Sequence, residues 1–271
     1  MSKRLKSFLA ALAFCSVAAP AAAVTFGVPD GNGHPFVGTI LFQRPDGFYS
    51  CTGTMLNSTV MLTAGHCTEE GGVANIRTWV TFTPKIQFST GCQGDLNCLI
   101  RYFDNAKNGW IKGTAYPHPD YDDFNQFPAT FDVGVIKLST AVSMPAYGTL
   151  PPIGFLATVK PADNNFTVVG YGLQGYIPAF SSDLWERYVG NTRLVELNST
   201  WDGGHSAKFS NNPGSTSGGT CFGDSGGPIF YQDTNMIVAV VSWGQTPCIG
   251  VDYNFRTDLQ TTQDFVKMFA K

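Results

Sequence analysis

The sequence predicts an all-β protein closed by a single α-helix. Three observations carry that expectation. Short apolar or alternating segments recur along the chain, Gly, Pro, Asn and Asp punctuate the gaps between them, and helical spacing of apolar residues closes the chain. With 30 Gly and 16 Pro in 271 residues, long helices are disfavoured. A sandwich or barrel fits this pattern better than a parallel sheet alternating with helices.

In order along the chain, residues 1–23 read as a secretory signal. Lys3, Arg4 and Lys6 give a positive start. Phe8 to Val17 is apolar but short for a bilayer span, and Ala21-Ala22-Ala23 supplies a small-residue cleavage site. Cleavage there leaves Val24 as the first residue of a mature domain, 24–271, expected to be exported, monomeric and free of the membrane. Strands are expected at Phe36–Phe42, Val60–Thr63, Trp79–Phe82, Val133–Leu138, Phe166–Val169 and Ile237–Trp243. Gly203 to Gly219, rich in Gly, Ser and Asn, reads as a long loop. The closing helix has Thr257 or Asp258 as its cap and Leu259, Phe265, Val266 and Phe269 as its apolar side.

Composition excludes several classes. A chain 43% hydrophobic and 14% charged is not intrinsically disordered. The formal net charge of −3 carries no footprint for nucleic acid, and losing residues 1–23 removes only basic groups. Of seven cysteines, Cys15 goes with the signal. Cys51, Cys67, Cys92, Cys98, Cys221 and Cys248 remain, an even count that favours disulfides in an exported protein. No C-x-x-C or H-x-x-x-H spacing occurs, so no zinc site is expected. Glu69 and Glu70 are too thin a hint for calcium, and no metal or cofactor is expected. The sequons at Asn57, Asn165 and Asn198 are taken as chance occurrences.

Three segments carry chemistry. Gly223-Asp224-Ser225-Gly226-Gly227-Pro228 places a hydroxyl in a tight turn where glycines let a substrate approach and backbone N–H groups converge on a developing oxyanion. Serine needs a base, and histidine is the usual one near neutral pH. Of His34, His66, His118 and His205, only His66 follows a strand and abuts a cysteine; the others read as surface or packing residues. A third group should orient the imidazole. Asp132 precedes an apolar strand and is the candidate, whereas Asp120, Asp122 and Asp123 form a solvated cluster. An esterase using G-x-S-x-G needs a histidine after the serine, and none follows Ser225.

These segments resemble the chymotrypsin/trypsin-like serine endopeptidases. Cys51-Thr52-Gly53-Thr54 leading to Thr63-Ala64-Gly65-His66-Cys67 follows the family pattern around the base, with Gly65 where Ala is usual. Tyr116-Pro117-His118-Pro119-Asp120-Tyr121 leads into Asp132-Val133-Gly134-Val135-Ile136, which departs from the family's D-I-A-L-L but stays apolar. The string at 223–228 is intact, Ser242-Trp243-Gly244 matches the segment that pairs with substrate backbone, and Val168 to Gly172 is similar to the start of the second barrel.

The resemblance implies two packed antiparallel six-stranded β-barrels with a C-terminal α-helix, the boundary near 145–165 and the site between them. It implies a peptide hydrolase acting through an acyl-enzyme, with Ser225 as nucleophile, His66 as base then acid, Asp132 as orienting carboxylate, and the N–H groups of Gly223 and Ser225 as oxyanion donors. It implies Cys51–Cys67 and Cys221–Cys248, leaving Cys92–Cys98 as a small local loop. A new N-terminus at Val24 is expected to pair with Asp224, with signal cleavage itself supplying that N-terminus. Gly219 stands where trypsin-like members carry a specificity aspartate, and Gly244 leaves the pocket mouth open, so an apolar or broad preference is expected. Asp252 would change this if its carboxylate faced inward. The partners implied are protein or peptide substrates. The alternative is a catalytically silent protease-like binding protein, but His, Asp and Ser are all present.

Overall fold

The computed structural model describes residues 24–88, 91–92, 94–177, 180–182, 185–197, 202–212, 214 and 218–270; the signal expected at 1–23 lies outside them. Six strands close the first barrel in the order Val37–Arg44, Gly47–Met55, Val60–Thr63, Gly134–Leu138, Ile111–Pro117 and Arg77–Thr81. All neighbours are antiparallel. Val37–Arg44 is buried on both faces because one row of its side chains fills the barrel, while Leu41 joins a separate aromatic cluster with Trp79, Phe103 and Trp110. Ile111–Pro117 alternates between half-buried and exposed residues, as expected for a strand with one face in water.

The second unit is an eight-stranded sheet rather than six strands in a plain ring. Two strands account for the difference. Val28–Pro29 adds itself at one edge, and Tyr188–Thr192 and Leu194–Leu197 are two halves of one run broken at Arg193. The first half pairs with Phe166–Gly170 and the second with Ser206–Asn211, so the two edges of the sheet are brought together by one stretch of chain. Pro228–Tyr231, Ile237–Gly244 and Gly250–Arg256 lie between.

The strand Ser206–Asn211 lies inside the stretch read from sequence as a loop. Its backbone is paired along its whole length with Gly250–Arg256, and that pairing, not its own composition, makes it a strand. Sequence patterning also missed helix α1, Leu96–Asp104, where the Asp95 carboxylate accepts from the N–H groups of Asn97 and Cys98. Helix α2, Gln260–Lys267, is present but not capped as expected. Asp258 is bound to Arg256 and accepts from Leu156 N–H, and Thr257 Oγ1 donates to the Ile237 carbonyl, so Leu259 takes the N-cap position without a side-chain bond. Phe265 and Val266 bury its inner face.

The barrels share a core: Val169, Phe230, Ile237, Val240 and Phe255 of the second sheet pack into the cluster that fills the first barrel. A buried guanidinium reinforces the joint. Arg187 pairs with Asp30 at 2.7 Å and donates to the carbonyls of Gly31, Val37 and Phe82 and to Tyr171 Oη. His34 also bonds Asp30 and stacks on Phe230, so it has a structural position. Three disulfides close Cys51–Cys67, Cys92–Cys98 and Cys221–Cys248, the pairs the resemblance implies.

Candidate active site

His66 sits in the single turn Gly65–Cys67 that ends the strand Val60–Thr63, and the Cys51–Cys67 disulfide pins that turn. Arg44 holds it from below by donating to the carbonyls of His66 and Glu69, while its remaining charge is met by Glu70. Asp132 is fully buried just before the strand Gly134–Leu138. Its carboxylate accepts from His66 N–H at 2.8 Å and lies 2.9 Å from His66 Nδ1. Ser242 Oγ donates to the same carboxylate. A buried anion with three donors is the arrangement that fixes an imidazole with its Nε2 free to act.

Ser225 lies in the turn between Cys221 and the strand Pro228–Tyr231. Gly223 has φ +97°, a region that favours glycine, and a Cβ at Gly226 would strike Thr63 Oγ1 and the Thr52 carbonyl. The turn is held from the first barrel. Thr52 N–H donates to the Ser225 carbonyl at 2.8 Å, and Thr52 Oγ1 donates to the Gly223 carbonyl at 2.9 Å and accepts from Tyr171 N–H at 3.1 Å. Leu173 N–H takes the Phe222 carbonyl at 2.7 Å. Because a trans peptide points its C=O and N–H in opposite directions, this bond aims the Gly223 N–H away from Leu173. Among the described residues the N–H groups of Gly223 and Ser225 have no internal acceptor. No hydrogen bond joins Ser225 Oγ to His66, a bond that often tightens only with substrate present.

His66, Gly223, Ser225, Ser242, Trp243 and Gly244 all line one cavity of about 920 Å³ between the barrels. Gly219 does not. A Cβ there would lie 2.6 Å from Asn211 Oδ1, so Asn211, from the strand missed in the sequence, occupies that space and lines the cavity with Thr220. Asp252 is buried behind them: Thr220 Oγ1 and Asn254 Nδ2 both donate to its carboxylate. Tyr121, the last residue of the lead-in read from sequence, has a role that the motif alone did not disclose. Its ring fills the space beside Gly65, and its hydroxyl donates to Asp123. Asp123 is half-buried at the cavity rather than solvated.

The electrostatics favour a base poised by an anion. Burial pushes the His66 pKa down, and the charge and hydrogen bond of Asp132 more than offset this, leaving it above the ordinary 6.5. For Asp132, burial works upward, but His66 and Ser242 hold the carboxylate below its usual value. Asp224 is different. It accepts from Gly172 and Cys221 N–H yet has no cation beside it among the described residues, and burial, with repulsion from Asp252, pushes it up to about 7. Val24 is also buried, and Thr25 bridges to Gly219 on the neighbouring segment. The cluster of Cys51, His66 and Cys67 has metal-ligand spacing, but both sulfurs are spent in the disulfide.

Fold and site together define a two-barrel hydrolase with a serine, a histidine and a buried aspartate in one cleft. Residues 27–266 match the trypsin family, and the chain belongs to that family of serine endopeptidases. It is 28% identical over 210 residues to trypsin alpha-4 of Lucilia cuprina, covering 76% of this chain and 71% of that protein. It is 28% identical over 242 residues to the venom serine protease Bi-VSP of Bombus ignitus, covering 81% of this chain and 60% of that longer protein. Among solved structures, HL collagenase superposes with a TM-score of 0.66 at 18% identity, over 90% of this chain and 97% of that one, a likeness of fold.

Proposed function

We propose that the protein is a secreted endopeptidase that cleaves peptide bonds with Ser225, His66 and Asp132. The observation that supports this best is the His66–Asp132 pair at 2.9 Å, with His66 lining the same cavity as Ser225, beside two N–H groups that have no internal acceptor among the described residues. Ser225 Oγ attacks the carbonyl carbon while His66 Nε2 takes its proton. The N–H groups of Gly223 and Ser225 receive the oxyanion. The C–N bond then breaks, and His66 gives its proton to the departing amine. Water, deprotonated by His66, attacks the acyl-enzyme ester, and Ser225 leaves with the proton returned. Asp132 stays ionised throughout and stabilises the imidazolium.

The residue before the scissile bond enters between Trp243–Gly244 and a floor of Asn211 and Thr220, which is polar and uncharged. This favours an apolar or broad preference, with Asp252 held out of contact. Activation follows from Asp224. A buried carboxylate without a cation is costly, and the ammonium of a chain beginning at Val24 would supply one. Signal cleavage after Ala23 gives that chain without a further cut.

A fluorophosphonate probe tests the nucleophile. The purified mature protein should gain one phosphonyl adduct, mapped by mass spectrometry to Ser225, and lose peptidase activity in parallel. Labelling at another residue, or undiminished cleavage by Ser225→Ala, would refute the assignment. N-terminal sequencing of active protein should begin at Val24.

A further inference from the structure

The cavity is larger than the acyl side of a peptide requires. Ser225 sits between two elements: Thr52 of the strand Gly47–Met55 holds its carbonyl, and Gly226 N–H donates to Val241 of the strand Ile237–Gly244. The second strand carries the segment for the acyl side, Ser242 to Gly244. On the side of the first, the cavity continues along an apolar wall made by Leu41, Phe48, Phe88, Leu99, Phe103 and Trp185. These come from the first barrel, from α1 and from the second sheet's approach, so the wall spans the joint.

The wall is pre-formed. Trp79 Nε1 donates to Asp104 at 2.9 Å, tying α1 to the barrel behind it, and the Cys92–Cys98 disulfide fixes the start of α1. Ile86 N–H donates to the Trp185 carbonyl at 2.8 Å, and Lys85 pairs with Glu186, so the two barrels are tied beside the wall. Phe88 meets Trp185 edge-on at 4.9 Å and lies near Phe103. Yet Phe88 remains 41% exposed, and Phe222 at the rim is 54% exposed. Large apolar side chains left in water around a cavity mark a binding surface. Arg44 and Glu70, which also line the cavity, are paired with each other.

We infer that this wall is a leaving-side subsite that takes a large apolar or aromatic side chain from one of the first residues after the scissile bond. The inference rests on the peptidase reading above. Burying a Phe or Leu side chain there should raise kcat/KM by about tenfold to hundredfold over a small polar residue.

The test is a digest of synthetic peptides randomised at every position, with cut sites read by mass spectrometry, for the mature protein and its Ser225→Ala, Phe88→Ser, Leu99→Ser and Phe88→Leu variants. Phe, Tyr, Trp and Leu should be enriched at one of the first three positions after the cut. Phe88→Ser and Leu99→Ser should lower that enrichment severalfold, leaving the enrichment before the cut in place, and Phe88→Leu should retain most of it. Loss of structure would depress both sides alike. Ser225-dependent cleavage with no apolar enrichment after the bond overturns the subsite and leaves the peptidase reading standing. Enrichment that survives both serine variants also overturns it. No Ser225-dependent cleavage at all overturns the peptidase reading, and the subsite with it.

Discussion

The Thr52 hydroxyl bridges the two barrels at the turn that carries Ser225. It donates to the Gly223 carbonyl at 2.9 Å and accepts from Tyr171 N–H at 3.1 Å. Thr52→Val keeps the shape, including the methyl facing Gly227, and removes both bonds. The buried Tyr171 N–H and the half-buried Gly223 carbonyl then lose partners, at about 1–3 kcal/mol each. The loss of stability should therefore be about 2–6 kcal/mol, at the lower end where water reaches the half-buried Gly223 carbonyl.

The kinetic effect is separable. Fixing the Gly223 carbonyl limits rotation of the residue whose N–H faces the oxyanion in the proposed mechanism. Complete loss of one such donor costs about 10²–10³ in kcat in serine proteases of another fold. Thr52 acts at one remove, so about tenfold to hundredfold is expected. It should fall on kcat with KM little changed, since the contact is made in the transition state. Thr52→Ser should recover most of both losses. The assay is steady-state kinetics on one peptide substrate beside urea unfolding for all three proteins. A Thr52→Val protein that is destabilised but keeps kcat within threefold of the parent would refute the link between this hydroxyl and the oxyanion donors.

Other residues around the site and the joint give further expected outcomes. Raising the His66 pKa means the neutral base appears only at higher pH, so kcat/KM should climb through a midpoint above 6.5; a midpoint at or below it would contradict the Asp132 pairing. Ser225→Ala or His66→Ala should cut kcat by roughly 10⁶, measured against the parent at saturating substrate. Gly65→Ala moves toward the family pattern yet should harm this chain, because its Cβ would lie 2.8 Å from the Tyr121 ring and 3.1 Å from Asp132 Oδ1; about 1–3 kcal/mol of stability and a lower kcat should be lost together. Arg187→Met takes the guanidinium from Asp30, leaving it only its bonds with His34, and should cost about 3–5 kcal/mol in urea unfolding. In protein extended before Val24, Asp224 has a folded pKa of about 7 against 3.8 unfolded. Asp224's contribution to the stability of that form should be greatest below about pH 4 and decline as pH rises to about 7, a decline that Asp224 does not cause in protein starting at Val24; Asp224→Asn should remove the difference between the two forms.

What the sequence discloses is the chemistry that is contiguous. Val60–Thr63 is a strand with the bounds its own residues suggest, and the turn around Ser225 announces itself because glycine and serine must be neighbours there. Structure set by distant partners is less legible. Ser206–Asn211 looks like a loop until Gly250–Arg256 is laid beside it. Asp258 looks like a helix cap until Arg256 and Leu156 claim it. Helix α1 depends on Asp95 at a single cap and on an aromatic cluster assembled from separate elements.

The specificity floor shows why this distinction matters for function. Read by position, Gly219 removes a side chain from the pocket and leaves a void. In the fold, the missing side chain is replaced from another strand: Asn211 fills the space, and its amide bonds both the N–H and the carbonyl of Thr220. The floor is thereby rigid and neutral. The nearby Asp252 is turned from a recognition charge into a brace that holds Thr220, and its carboxyl, pushed up to about 6 by burial, is kept in place by Thr220 and Asn254. A glycine at a specificity position therefore says what is absent from that position, and only the strands packed against it say what the substrate meets.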